Sequence, residues 1–286
     1  MAKTASILSS LILSATLTAI SLPPFSTQAQ ISPTPTPTGV SFNPPLGFTP
    51  PSDRRGEPRT VTGTGGTRGT CSEEKVEMRD LLSFSPRDTQ PQLTAIIPAT
   101  KIGLTTREQP DIFIFIPATT TPMQGEFLLK DESGNREIYF TTFTSPDRAG
   151  IIRLQLPLNP ETGKSYLEAD RKYQWSVHLS CKNDSVFIDN SGNTTVGGWI
   201  QRIQPDSIAP TFTQELETLS PLQQAALYGK HGIWHELLAT LANLQESPDE
   251  KEAATAALQE LFASEPVQLE PIAGVSLLNC CETSAE

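Results

Sequence analysis

Cysteine and histidine are scarce, with four and three residues respectively in a chain of 286. They do not fall at the four-ligand spacing of a structural zinc site. His231 and His235 are four apart, but Gly232 stands where a zincin helix needs glutamate, and a turn between two helices separates the pair. Nucleophile motifs are missing too. There is no Gly-x-Ser-x-Gly and no cysteine with an evident histidine partner. The glycine-rich run Gly63-Thr64-Gly65-Gly66-Thr67-Arg68-Gly69 lacks a following Lys-Ser/Thr, a preceding strand and an ensuing helix. Neither nucleotide-binding fingerprint is therefore met, and no cofactor is implied.

Charge is unevenly spread. Asp206 to Glu286 holds thirteen acidic residues against Lys230 and Lys251, which accounts for the whole net charge of -11. Met1 to Pro205 is balanced, with 19 basic and 19 acidic residues. An acidic surface repels phosphate backbones and anionic headgroups, so nucleic acid is not expected as a partner of that part.

What is present begins with a targeting segment. Lys3 is a short positive region, Ala5 to Ile20 is apolar or small, Pro23 and Pro24 break the run, and Thr27-Gln28-Ala29 offers small residues for cleavage. The run is short of the about 20 residues that a membrane span needs. Residues 1–29 read as a signal peptide. The expected mature protein is exported, periplasmic or extracellular, and has no stable membrane span. Residues 30–70 read as a disordered Pro/Thr/Gly-rich linker, opening with Ser32-Pro33-Thr34-Pro35-Thr36-Pro37-Thr38. Its arginines, Arg54, Arg55, Arg59 and Arg68, are candidates to dock on the acidic C-terminal part.

From residue 71 to 205 the signals are strands. Tyr173, Trp175, Val177, Leu179 and Cys181 alternate with Gln174, Ser176, His178 and Ser180, the period of a half-buried strand that reads as the central one. Asp111 to Ile116 is a continuous β-branched and aromatic run. Glu126–Lys130 and Arg136–Phe143 flank the hairpin loop Asp131-Glu132-Ser133-Gly134-Asn135. Leu93–Ile97, Ile152–Leu156, Ser185–Asp189 and Thr194–Ile203 complete seven or eight short strands, and no crossover helix intervenes. The expected fold is mainly β: an antiparallel sandwich of immunoglobulin-like size, followed by helices.

The period changes after Pro210. Ser220-Pro221-Leu222-Gln223 is an N-cap, a first-turn proline and a capping-box glutamine, and Ser247-Pro248-Asp249-Glu250 repeats the device. Ile233, Leu237, Leu238, Leu241 and Leu244 recur at helical spacing, as do Ala254, Ala257, Leu258, Leu261 and Phe262. Residues 206–264 thus read as an acidic helical module similar to tetratricopeptide pairs. One and a half such units fall short of the about three a free-standing stack needs. The apolar stripe of Trp234, Leu237, Leu238 and Leu241, with Tyr228 beside it, is therefore expected to be a docking face, on the sandwich or on a partner. Residues 265–286 are a C-terminal tail.

In an exporting compartment Cys71, just before the sandwich, and Cys181, at the end of the central strand, form the natural disulfide; the alternative is two separate buried thiols. The adjacent Cys280 and Cys281 are expected to stay reduced or to pair between chains.

Several short motifs, in order and spacing, resemble domain-of-unknown-function family 928. They are Arg54-Arg55-Gly56, Thr67-Arg68-Gly69-Thr70-Cys71, Leu93-Thr94-Ala95-Ile96-Ile97-Pro98, Gly103-Leu104-Thr105, Pro117-Ala118, Tyr173-Gln174-Trp175, Gly198-Trp199-Ile200, and Ala226-Leu227-Tyr228 through Trp234. The resemblance runs from Arg54 to Phe262, leaves Glu265–Glu286 outside, implies an exported bacterial protein without assigned activity, and supplies no catalytic residues to carry over. The expected role is a non-catalytic protein-binding or assembly module of the cell envelope, engaging an envelope or exported protein with a basic surface. The competing expectation is an envelope hydrolase with a carboxylate pair that the sequence does not single out. Export is checked by N-terminal sequencing of the mature protein, which should begin at Gln30; a chain still starting at Met1 would contradict it.

Overall fold

The computed structural model describes residues 46–51, 92–119, 122–180 and 194–278. Two sheets and four helices make up the fold. Strands β1 (Thr94–Ala95), β3 (Asp111–Ile116) and β6 (Gly150–Gln155) form a three-stranded sheet in the order β1-β3-β6. Strands β2 (Ile102–Thr105), β8 (Thr194–Arg202), β7 (Lys172–Ser180), β4 (Gln124–Lys130) and β5 (Glu137–Thr144) form a five-stranded sheet in that order. Among the described residues, all pairings between these strands are antiparallel except β2 with β8.

The faultless alternation of Tyr173–Leu179 makes β7 the middle strand of the larger sheet, where one face meets the core and the other does not. Tyr173, Trp175, Val177 and Leu179 pack with Phe127 and Leu129 of β4, Ile112, Ile114 and Ile116 of β3, and Ile152 and Leu154 of β6. This is the sandwich interior. The β4–β5 loop closes as its residue types require: Gly134 takes a left-handed φ of 73°, Gly134 N–H donates to the Asp131 carbonyl, and Asp131 N–H donates to that of Arg136.

β3 explains the rest. All six of its residues are buried, so the run Asp111–Ile116 does not alternate. Ile112, Ile114 and Ile116 face the larger sheet, whereas Phe113 and Phe115 face a second core built with helices α3 (Trp234–Glu246) and α4 (Lys251–Ala263). The fold therefore has three layers: five-stranded sheet, three-stranded sheet, helices. The sequence suggests two layers followed by a separate tetratricopeptide-like module. No such module is evidenced: α3 packs against α2 and α4 and also against β2 and β3, with Phe113 and Phe115 of β3 in its core. Helices α1 (Phe212–Thr218) and α2 (Pro221–Lys230) enclose a third, smaller core of Leu104, Ile203, Phe212, Leu227 and Ile233.

Other details depart from the sequence reading for local reasons. β2 is too short, and too marked by Gly103, to register as a strand. The capping device at Ser220 is formed, with Ser220 N–H donating to Gln223 Oε1 at 3.0 Å. Its apparent copy at Ser247 makes a separate turn, closed by Glu250 N–H on the Ser247 carbonyl, and α4 begins only at Lys251. Within the expected linker, residues 46–51 lie on α2 and α3. Leu46 and Phe48 are buried, and Thr49 N–H donates to the Gly229 carbonyl. Gly232, at φ 70°, turns the chain between α2 and α3, and a Cβ there would meet the Thr49 carbonyl oxygen at 2.8 Å. The stretch set apart as a tail contributes Val267, Leu269 and Ile272 to the helical core. Ser185–Asp189 and all four cysteines, including Cys71 and Cys181, lie outside the described residues.

Trp234 is fully buried; its ring meets Phe48 edge-on at 4.9 Å and its Nε1–H donates to the Ile96 carbonyl at 3.0 Å. Trp234→Ala should empty this site and destabilise the protein by about 3–5 kcal/mol, the usual cost of deleting a buried aromatic side chain. Chemical denaturation of the two proteins measures it; a loss under about 1 kcal/mol would mean that the site collapses without penalty.

Candidate functional site

Two features stand apart from ordinary packing. The first is a buried polar cluster at the seam between α3 and the ends of β2 and β3. Glu236, 1% exposed, lies in the first turn of α3, where a carboxylate is favoured by the helix dipole. Its Oε1 accepts from Thr105 Oγ1 (2.7 Å), Thr106 N (2.8 Å), Arg107 N (2.9 Å) and Thr106 Oγ1 (3.1 Å). One oxygen thus satisfies the backbone where β2 ends and the chain turns toward β3, and Glu236 Oε2 has no partner among the described residues.

His235, one residue earlier, sends Nδ1 to the Asp111 carbonyl at 2.8 Å. A carbonyl only accepts, so Nδ1 carries the proton and Nε2 is a bare lone pair. Nε2 faces Gly103, where a Cβ would stand 2.5 Å away. The ring fits only because residue 103 has no side chain. Burial holds the imidazole neutral, with its pKa pushed down to about 4 from an ordinary 6.5. Asp111 is buried beside it; loss of hydration raises its pKa, opposed chiefly by the nearby Arg153 guanidinium. Its Oδ2 lies 3.9 Å from Arg153 Nε, and its Oδ1 has no partner among the described residues.

The second feature is a cavity of about 700 Å3 between the outward face of β3–β6, helices α3 and α4, and the segment Ala273–Leu278. That segment closes one side by pairing with β6: Ile151 N–H donates to the Ser276 carbonyl at 3.0 Å and Leu278 N–H to that of Ile151 at 2.8 Å. Most of the lining is apolar, including Phe113, Ile151, Leu238, Leu258 and Phe262. Arg153 enters it from β6. The guanidinium is set in place by three contacts: Nη2 donates to Asn243 Oδ1 at 2.6 Å, its carbon lies 5.4 Å over the Phe113 ring, and Asp111 stands behind. Neither His235, Glu236 nor Asp111 lines the cavity.

The residues singled out by the sequence divide accordingly. Trp234, Leu237, Leu238 and Leu241 share the helical core, and Tyr228, half-buried, packs against it. Of the five, Leu238 alone reaches the cavity. His231 closes α2 with its ring edge-on to Phe212 at 5.4 Å, and His178 Nδ1 lies 2.8 Å from Thr195 Oγ1. Arg153, Asp111, Asn243 and Glu236 carry no motif. The one trace of Arg153 in the sequence is a lone arginine within the apolar strand Ile151–Leu154, on the face that alternation assigns to water and the helices in fact cover.

With this arrangement in view, comparison with known families is decisive on one point. The family model "Domain of Unknown Function (DUF928)" matches residues 63–277. The chain belongs to this family. The DUF928 match extends beyond Phe262, where the motif resemblance ends, and takes in the segment Ala273–Leu277 along the cavity. Neither a curated protein nor a solved structure matches the chain.

The buried imidazole makes stability depend on pH. In the unfolded chain His235 gains a proton below about 6.5, whereas in the fold it stays neutral down to about 4. The unfolded state binds more protons in that window, so stability falls on acidification from pH 6.5 to 4, by about 2–4 kcal/mol from this residue. Asp111 acts with the opposite sign: its raised pKa favours the protonated form in the fold, and that contribution fades as pH rises through its folded value. Denaturation midpoints of wild type and His235→Gln across this range isolate the imidazole; equal slopes would remove it as the cause.

Proposed function

We propose that this DUF928 protein is an exported, non-catalytic binding module of the cell envelope. The observation that carries the proposal is the separation of the cavity from the titratable cluster. An enzyme places its reactive groups where the substrate sits. Here the space for a ligand is lined by apolar side chains together with Arg153, Lys251, Glu246, Gln245, Thr255 and Ser276, and by none of Asp111, His235 and Glu236. The buried acids and the imidazole lie elsewhere, with Glu236 Oε1 occupied by backbone and hydroxyl donors and His235 Nε2 closed off by Gly103. Asp111 and Glu236 do not offer a carboxylate pair to a cleft, which weakens the hydrolase alternative. The export segment supplies the compartment.

A second element of the proposal is a protein partner with a basic surface. Of the eleven acidic residues in 206–278, nine are exposed, Glu250 is half-buried and Glu236 buried. The apolar stripe of α3 is covered by the protein's own sheet, so the helical surface left for a partner is charged. Such binding weakens with added salt. A partner captured from the envelope fraction and retained equally in high salt would count against it.

The cavity is tested with a neutral apolar fluorophore, N-phenyl-1-naphthylamine. Wild type should bind it, and Ala242→Phe, which fills the space from α3, should lower the affinity about tenfold or more while remaining folded by circular dichroism. Equal binding by both proteins would place the fluorophore elsewhere, and no binding by either would remove the cavity as a recognition element.

A further inference from the structure

We infer that the cavity takes an apolar carboxylic acid, its carboxylate on the Arg153 guanidinium and its hydrocarbon part between the three-stranded sheet and α4. This rests on the cavity being a recognition element, and goes further by naming the ligand's chemistry.

The guanidinium is fixed before any ligand arrives. Phe113 lies beneath it, as the β3–β6 register dictates by placing Phe113 opposite Arg153. Asn243 of α3 takes one donor from Nη2 at 2.6 Å. Asp111, at 3.9 Å from Nε, supplies charge without a hydrogen bond. A guanidinium has five N–H donors, and among the described residues Asn243 is the one hydrogen-bond acceptor Arg153 has. Donors therefore remain for a ligand, held in the planar fork that a carboxylate fits with two parallel hydrogen bonds.

Charge selects the same ligand. The lining carries two cations, Arg153 and Lys251, and one anion, Glu246. The lining itself has one more cation than anion, and Asp111, which does not line it, stands behind Arg153. A monoanion gains the guanidinium; a dianion such as a phosphate monoester would need further fixed donors and would meet stronger repulsion from the exposed acids around it. Beyond Arg153, Ile96, Ile151, Leu238, Leu258 and Phe262 offer contact to a hydrocarbon tail, while Gln245, Glu246, Lys251, Thr255 and Ser276 form the polar part of the lining. The volume, about 700 Å3, falls within the 300–1,000 Å3 usual for small-molecule sites.

The test uses the full-length mature protein and calorimetric titration with decanoate, decanol and decyl phosphate. Decanoate should bind at least about tenfold more tightly than decanol, a difference worth about 1.4 kcal/mol. Arg153→Lys, which keeps the charge and loses the fork, should reduce decanoate affinity by about tenfold and leave decanol unchanged. Ala242→Phe, which leaves Arg153 intact, should weaken all three ligands and guards against misfolding of the arginine variant. Equal affinities for decanoate and decanol, unaltered by Arg153→Lys, would overturn the carboxylate assignment while leaving the cavity as an apolar site. Tighter binding of decyl phosphate would overturn it in favour of a phosphate ligand. If N-phenyl-1-naphthylamine binds but no decyl compound does, the ligand class is wrong; if neither binds, the binding-cavity reading falls as well.

Discussion

A strand buried on both faces needs two partners, and β3 obtains both from later in the chain. Its isoleucines are covered by strands that follow it closely, whereas Phe113 and Phe115 wait for α3 and α4, more than a hundred residues later. Without the helices, two phenylalanines on the small sheet would face water, at a cost of roughly 1.5–3 kcal/mol for each side chain left exposed. Without the sheet, α3 would expose Trp234, Leu237 and Leu241, all fully buried in the folded protein. The helical part and the β part are thus halves of one core. The cavity is the place where the two halves do not quite meet.

The polar seam follows from the same packing. Bringing the N-terminal end of α3 onto β2 and β3 partly covers Thr106 and Arg107 where β2 ends. Their N–H groups must find acceptors there. Glu236 supplies one oxygen to four donors, and the cost of burying its charge is offset by those bonds and by the helix dipole. His235 pays no such charge, because it stays neutral. Gly103 between them is required by close approach, which gives the Gly103-Leu104-Thr105 motif a physical meaning: room for a ring, a core leucine, and a hydroxyl for Glu236.

Much of this was legible in the residues. The period of two in Tyr173–Leu179, the β4–β5 hairpin and the cap at Ser220 are local signals with local causes, and all three are formed. Among the described residues, the family resemblance includes Gly103, Trp175, Gly198 and Trp234, positions that close packing constrains. The stripe of Trp234, Leu237, Leu238 and Leu241 pointed to docking on the sandwich or a partner, but not to which sheet face, since a continuous apolar strand tells of two covered faces without naming what covers them. Arg153 was hidden for a related reason: alternation marks it as solvent-facing, and only the return of α3 turns that side into a lined cavity. The cluster of Asp111, His235 and Glu236 joins positions over a hundred residues apart, beyond the reach of any spacing rule.

The bond from Trp234 to the Ile96 carbonyl spans 138 positions, and that from Thr105 to Glu236 spans 131. Contacts this far apart repay their loop-closure entropy late in folding. The first strands made during synthesis therefore lack their outer cover until α3 has emerged, and the second core closes only when nearly the whole chain is available. A protein built this way completes its helix-covered core only after the residues of α3 have been made.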